Sequence, residues 1–135
     1  MALDVGTKRI GVAMSDELFL TAQGADTIQR SGLEADLEKI KKIAGENGVG
    51  EIVIGLPINM NGTYGPKAKE VEEFMGNLTK AVNIPVKTWD ERLTTVQAQK
   101  ALLEADVSRA KRKRAIDKLA AQIILQSYLD SRRRG

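Results

Sequence analysis

Met1-Ala2-Leu3-Asp4-Val5-Gly6-Thr7-Lys8-Arg9-Ile10-Gly11-Val12-Ala13-Met14-Ser15 reads as two short strands joined by a tight turn. Met1 to Val5 is β-like and ends at Gly6. From Arg9 to Ser15, apolar Ile10, Val12 and Met14 alternate with smaller residues, the two-residue period of a half-buried strand. The chain therefore opens with an antiparallel hairpin. Phe19 to Thr27 offers a third strand, weakened by Gly24. Leu33, Leu37, Ile40, Ile43 and Ala44 then recur at helical spacing up to Gly45 and Gly48, which predicts an amphipathic helix with a glycine stop.

Beyond that helix the pattern changes. Glu51-Ile52-Val53-Ile54-Gly55-Leu56 is an apolar run of the kind found in strands buried on both faces, and Pro57 breaks it. A polar loop rich in Gly, Asn and Pro follows through Pro66, either a cover for a ligand or an ordinary surface connection. A second helix carries Ala68, Val71, Phe74, Met75 and Leu78 inward. Pro85 to Trp89 makes a short strand that opens into Asp90-Glu91-Arg92 and a helix beginning near Thr94. A last helix runs to about Leu129, with Ile116, Leu119, Ala120, Ile123 and Ile124 as its buried stripe. Three strands followed by alternating helix and strand predict an α/β fold. Its sheet is mixed, antiparallel on one side and parallel on the other, and is covered by helices.

The 135 residues fit one domain, 1–135. The chain holds no cysteine and no histidine, which excludes disulfides, thiolate zinc sites and every imidazole-based mechanism. Chemistry is left to carboxylates, hydroxyls, amines or a bound metal. No apolar run approaches the ~20 residues of a membrane span, and Met1-Ala2-Leu3-Asp4 lacks the basic and apolar regions of a signal peptide, so a cytoplasmic protein with no membrane partner is expected. The net charge of +3 hides an asymmetry: from Arg109 to Gly135 there are nine Lys/Arg against two acidic residues, a net of +7, while the remainder nets −4. Basic charge gathered at one end suits a face for a polyanion, though a solvated basic tail gives the same count.

In open α/β sheets ligands bind beyond the carboxyl ends of the strands. Asp4 near the end of the first strand, Glu91 after the last, and Asp117 in the first turns of the final helix are acidic residues at or near such places. Each has a plainer role open to it, as a turn residue, a helix N-terminal carboxylate or a partner for neighbouring cations. Together they are the one plausible metal site in a chain without His or Cys, and their hard oxygen ligands suit Mg²⁺ or Mn²⁺. The turn Asp4 to Arg9 adds a glycine, a hydroxyl and two cations.

Asp4-Val5-Gly6-Thr7-Lys8-Arg9-Ile10-Gly11-Val12-Ala13-Met14-Ser15-Asp16 resembles the opening signature of the YqgF family, whose members are described as Holliday junction resolvases or nucleases of ribosomal RNA precursors. Gly55-Leu56-Pro57 with Asn61-Gly62 and Gly65-Pro66 resembles its second motif, Asp90-Glu91-Arg92-Leu93-Thr94-Thr95 its third, and Asp117 to Leu125 its fourth. The resemblance covers nearly the whole chain. It implies a ribonuclease H-like fold of five strands with flanking helices, and Asp4, Glu91 and Asp117 as the acidic site. Two departures stand out: Ile52 to Leu56 carries no carboxylate where related junction resolvases place one, and Asn61 stands where an aspartate is common.

The expected activity is metal-dependent hydrolysis of phosphodiester bonds in structured nucleic acid, foremost at the 5′ end of pre-16S ribosomal RNA. Asp4, Glu91 and Asp117 would hold one or two ions. Lys8, Arg9 and Arg92 would grip phosphates near the reaction, and Lys111, Arg112, Lys113 and Arg114 would hold backbone farther away. A Holliday junction resolvase, a non-catalytic nucleic-acid-binding module and an actin-like nucleotide-binding enzyme are the rivals. Whether Asp90 or Glu91 is the ligand, and whether the protein is a monomer or a homodimer, stay open in the sequence.

Overall fold

A computed structural model describes residues 1–16, 22–58, 61–90 and 120–131. Its elements are β1 (Ala2–Val5), β2 (Arg9–Ser15), β3 (Ala22–Gln29), α1 (Leu33–Glu46), β4 (Ile52–Leu56), α2 (Pro66–Ala81) and β5 (Val86–Asp90). Residues 120–131 are helical. The five strands form one sheet in the order β3-β2-β1-β4-β5. β1, β2 and β3 pair antiparallel, and β1, β4 and β5 pair parallel, so the mixed sheet expected from the sequence is present.

Side-chain alternation divides the sheet into two faces. Leu3 and Val5 of β1, Ile10 and Val12 of β2, and Ile52, Ile54 and Leu56 of β4 pack with Ile40 and Ala44 of α1 and with Ala68, Val71, Phe74 and Leu78 of α2. On the other face Ala2, Ala13, Ala22 and Val53 meet Ala121, Ile124, Leu125 and Leu129 of the 120–131 helix. β4 is buried along its whole length because helices cover both of its faces, which is why it reads as an unbroken apolar run.

Local chemistry sets the element ends. α2 begins at Pro66, the first helical residue, where a missing N–H costs nothing. The sequence assigned Pro66 to the preceding loop. α1 closes in a Schellman motif: Gly48 sits at φ 61°, and the Val49 N–H donates to the Ala44 carbonyl at 3.0 Å.

Several boundaries differ from expectation. β3 runs to Gln29 rather than Thr27, and the part of its predicted start at residues 19–21 lies outside the described residues. At Gly24 the ladder is irregular: a bulge places Ala25 as an extra residue between the pairs Val12↔Asp26 and Ala13↔Gly24. β5 extends to Asp90. The predicted helix near Thr94 lies outside the described residues, as do Ile116 and Leu119. Leu33, predicted to face the core, is 42% exposed in the first turn of α1, and the core position is taken by Asp36, 0% exposed. In the 120–131 helix Ile123 is half-buried, while Ala121 and Leu125 complete the buried stripe.

Candidate functional site

Strand parity places Asp4 on the face of the 120–131 helix, because its neighbours Leu3 and Val5 turn to the α1/α2 face and Ala2 turns to the other. It is half-buried, at the carboxyl edge of the parallel strands. Across the hairpin Asp4 pairs with Gly11. On its other side Leu3 pairs with Ile54, so one step along the strands Asp4 stands beside Gly55. Gly55 in turn pairs with Trp89 of β5. The row across the sheet is therefore Gly11, Asp4, Gly55, Trp89, and neither strand beside Asp4 puts a side chain level with its carboxylate.

Arg9 shares this face. It lies two residues before Gly11 on β2, a diagonal of about 7–8 Å from Asp4, which an arginine side chain spans. Lys8 is exposed at the tip of the turn. The turn itself is tight: the Gly6 N–H donates to the Arg9 carbonyl at 2.9 Å, and a Cβ on Gly6 would lie 2.7 Å from that same oxygen. Glycine is required there by close approach.

Parity also fixes the face to which Asp90 belongs. Val86 packs against the α1/α2 core and Trp89 against the other, so Asp90, in phase with Val86, belongs to the face opposite Asp4. Glu91, Arg92, Lys111, Arg112, Lys113, Arg114 and Asp117 lie outside the described residues. Among the described residues no three carboxylates are grouped as a metal would need.

Three groups near the turn escape a sequence reading. The Arg30 guanidinium donates through Nη1 to the Gly6 carbonyl and through Nε to Asp36 Oδ2, each at 3.0 Å. It also lies over the Phe74 ring, 5.4 Å from the centroid. Asp36 accepts a further bond from the Ser31 N–H at 3.0 Å. Lys67, in the first turn of α2, reaches Thr7 Oγ1 at 3.4 Å. The signal for Asp36 was present in the sequence, since it stands four and eight residues before the buried Ile40 and Ala44. A carboxylate in a helical apolar stripe asks for a buried partner.

Trp89 packs edge-on against Tyr128, with ring centroids 5.7 Å apart, and so ties the end of β5 to the 120–131 helix. The Tyr128 hydroxyl bonds Glu51, which also meets Lys87 at 3.6 Å. Gln122 and Gln126 clamp the start of β3, donating to the Ala22 carbonyl and accepting from its N–H. A cleft of about 650 Å³ lies at the opposite edge of the sheet, lined by Met1, Met14, Asp16, Glu51 and Tyr128 among others. Burial there pushes the Met1 α-amine below its ordinary pKa, partly offset by Glu51. That cleft is an edge away from Asp4. Among the described residues no helix is long and apolar enough to cross a membrane.

Residues 1–131 match the model of the RuvX family, described as Holliday junction resolvase. Relatives named "Putative pre-16S rRNA nuclease" include one from Thermoanaerobacter pseudethanolicus, 58% identical over 98% of this chain and 96% of its own length. Another, from Clostridium kluyveri, is 55% identical over 96% of this chain and 95% of its own length. Among solved structures, Thermus thermophilus RuvC in complex with a Holliday junction substrate aligns with a TM-score of 0.59 at 14% identity, covering 97% of this chain and 92% of that one. The Fowlpox virus resolvase bound to Holliday junction DNA aligns with a TM-score of 0.51 at 12% identity, covering 96% and 95%. At such identities the likeness speaks for the ribonuclease H-like fold alone.

Proposed function

The chain belongs to the RuvX family, and from that premise we propose that it is a divalent-metal-dependent nuclease that processes the 5′ end of pre-16S ribosomal RNA in the cytoplasm, acting as one domain over residues 1–135. The observation that carries this reading is Asp4: a carboxylate at the carboxyl edge of the parallel strands, flanked on the neighbouring strands by Gly11 and Gly55, with Arg9 on the same face. With glycine on both neighbouring strands, no side chain of the sheet stands level with the Asp4 carboxylate.

The donor set suits a hard cation. With no His or Cys in the chain, oxygen ligands remain, and Mg²⁺ or Mn²⁺ accept them. Asp4, Glu91 and Asp117 are the residues to hold it, with Glu91 preferred over Asp90 because Asp90 belongs to the other face of β5. When bound, the metal supplies an activated water and offsets charge on the phosphate. Arg9, with Lys8 and Arg92, orients the scissile phosphate and stabilises the charge that builds on its oxygens. Lys111, Arg112, Lys113 and Arg114 hold backbone farther along, a sequence-independent grip that salt weakens. Among the described residues the glycine and alanine floor offers no aromatic stack at Asp4 except Trp89, itself engaged by Tyr128, so recognition by shape and phosphate position is favoured over base reading.

The family description favours a second substrate, a four-way DNA junction. Cleavage of end-labelled pre-16S RNA and of a four-way junction, each with Mg²⁺, Mn²⁺ or chelator, tests both. Metal-dependent cutting of the RNA alone is expected. Cutting of the junction alone would make the chain a resolvase, and tight binding without cutting of either would make it a binding module.

A further inference from the structure

We propose that Arg30, locked by Asp36, is a positioning residue for the proposed metal site: it fixes the β1–β2 turn so that the Asp4 carboxylate is aimed at the cation. This rests on the reading of Asp4 as a metal ligand. The β1–β4 ladder pairs Ala2 with Val53 and Leu3 with Ile54. On the β2 side the register carries on through Asp4↔Gly11 and Val5↔Ile10. The β1–β4 register ends at Leu3↔Ile54 while the hairpin register continues, and the chain runs from Asp4 through Val5 into the turn that Arg30 holds.

Arg30 holds it twice. Its backbone N–H donates to the Lys8 carbonyl and its guanidinium to the Gly6 carbonyl, both at 3.0 Å. These two carbonyls bracket the tip of the turn, two residues after Asp4 and one before Arg9. The guanidinium cannot swing away. Asp36 holds Nε at 3.0 Å from a position with 0% side-chain exposure, the Phe74 ring lies against the guanidinium, and Asp36 is itself fixed to the backbone by the Ser31 N–H. The turn is thus tied to both α1 and α2. A planar fork can serve Gly6 and Asp36 together in fixed directions, whereas a lysine ammonium is a single point charge on a flexible stem. Outer partners that orient a metal ligand typically change metal affinity by roughly 10–100-fold when removed.

Mn²⁺ binding to the full chain, followed by calorimetry without nucleic acid, reads this without relying on turnover. The variants are Arg30→Lys, Asp36→Asn and Asp4→Asn, with Val71→Ala as a control that weakens the α2 core without touching the turn. Circular dichroism fixes a temperature at which each is folded. Arg30→Lys is expected to raise the Mn²⁺ dissociation constant about tenfold, with Asp36→Asn in between and Val71→Ala equal to wild type. In cleavage, kcat should fall while KM for the nucleic acid holds. Should Arg30→Lys fail to fold, Asp36→Asn carries the same test. Wild-type Mn²⁺ affinity in both Arg30→Lys and Asp36→Asn, with binding lost in Asp4→Asn, overturns the positioning role alone. No Mn²⁺ binding in wild type, or undiminished binding in Asp4→Asn, overturns the metal reading and this proposal with it.

Discussion

The sheet face under α1 and α2 is filled by Leu3, Ile10, Ile54, Val71, Phe74 and Leu78, whereas the face under the 120–131 helix is floored around Asp4 by Ala2, Gly11, Ala13, Val53 and Gly55. Large interlocking side chains exclude water, and each buried Leu, Ile or Phe contributes about 1.5–3 kcal/mol to stability. The small-residue floor gives up much of that burial. Level with Asp4 the neighbouring strands carry the glycines Gly11 and Gly55, so neither places a side chain beside its carboxylate. Among the described residues the larger apolar side chains of the sheet lie on one face, and Asp4, the proposed metal ligand, lies on the other.

The sharpest way to break this division is Asp4→Asn, which keeps shape and removes charge. Cleavage of pre-16S RNA should fall by about 10³-fold or more, the scale on which loss of one transition-state-stabilising group acts, while RNA binding in chelator and the thermal midpoint stay close to wild type. Loss of folding instead would assign Asp4 to the scaffold. On the other face, Leu78→Ala should lower unfolding free energy by about 2–5 kcal/mol in a denaturant titration, with cleavage per folded molecule unchanged. If activity drops with stability, the two faces are not independent.

Gly55→Val tests the glycine row directly, by raising a side chain beside Asp4 on a strand that already favours β-branched residues. Cleavage per folded molecule is expected to fall by about 10²-fold, as misplacement by an ångström can cause, with circular dichroism fixing a temperature at which the variant is folded, since Gly55 is buried. Unaltered cleavage would mean that the approach to Asp4 does not run across Gly55. The smallest effect belongs to the basic run. Replacing Lys111, Arg112 and Lys113 with Ala should reduce the slope of log affinity against log salt by about 1 for each phosphate that is no longer gripped. An unchanged slope would remove those residues from the interface.

The fold was legible in the sequence because its elements follow two periods. Ile10, Val12 and Met14 alternate along β2, and Ala68, Val71, Phe74 and Leu78 recur along α2. Pattern failed where tertiary context overrode it. Leu33 fits the α1 stripe but falls in the first helical turn, before α1 settles onto the sheet, and Asp36 replaces it in the core because Arg30 and the Ser31 N–H satisfy its carboxylate. Gly24, read as a weak point in the third strand, sits beside a bulge that absorbs one residue.

The site was legible in part. Asp4 stands out by its place at a strand end, and the preference proposed for Glu91 over Asp90 draws on the parity of β5, which packing of Val86 and Trp89 supplies. Arg30 could not be found from spacing, since its partners are a turn carbonyl 24 residues away and a helix in another layer. The positioning role proposed for it draws on three elements meeting at one guanidinium.

Anomalous scattering from a crystal soaked in Mn²⁺ tests the central claim most directly. A peak about 2.1 Å from an Asp4 carboxylate oxygen, on the face of the 120–131 helix and beside Gly55, is the expected result. A peak confined to the cleft at Glu51 and Asp16, or none near Asp4 in a crystal that binds the ion elsewhere, would contradict it.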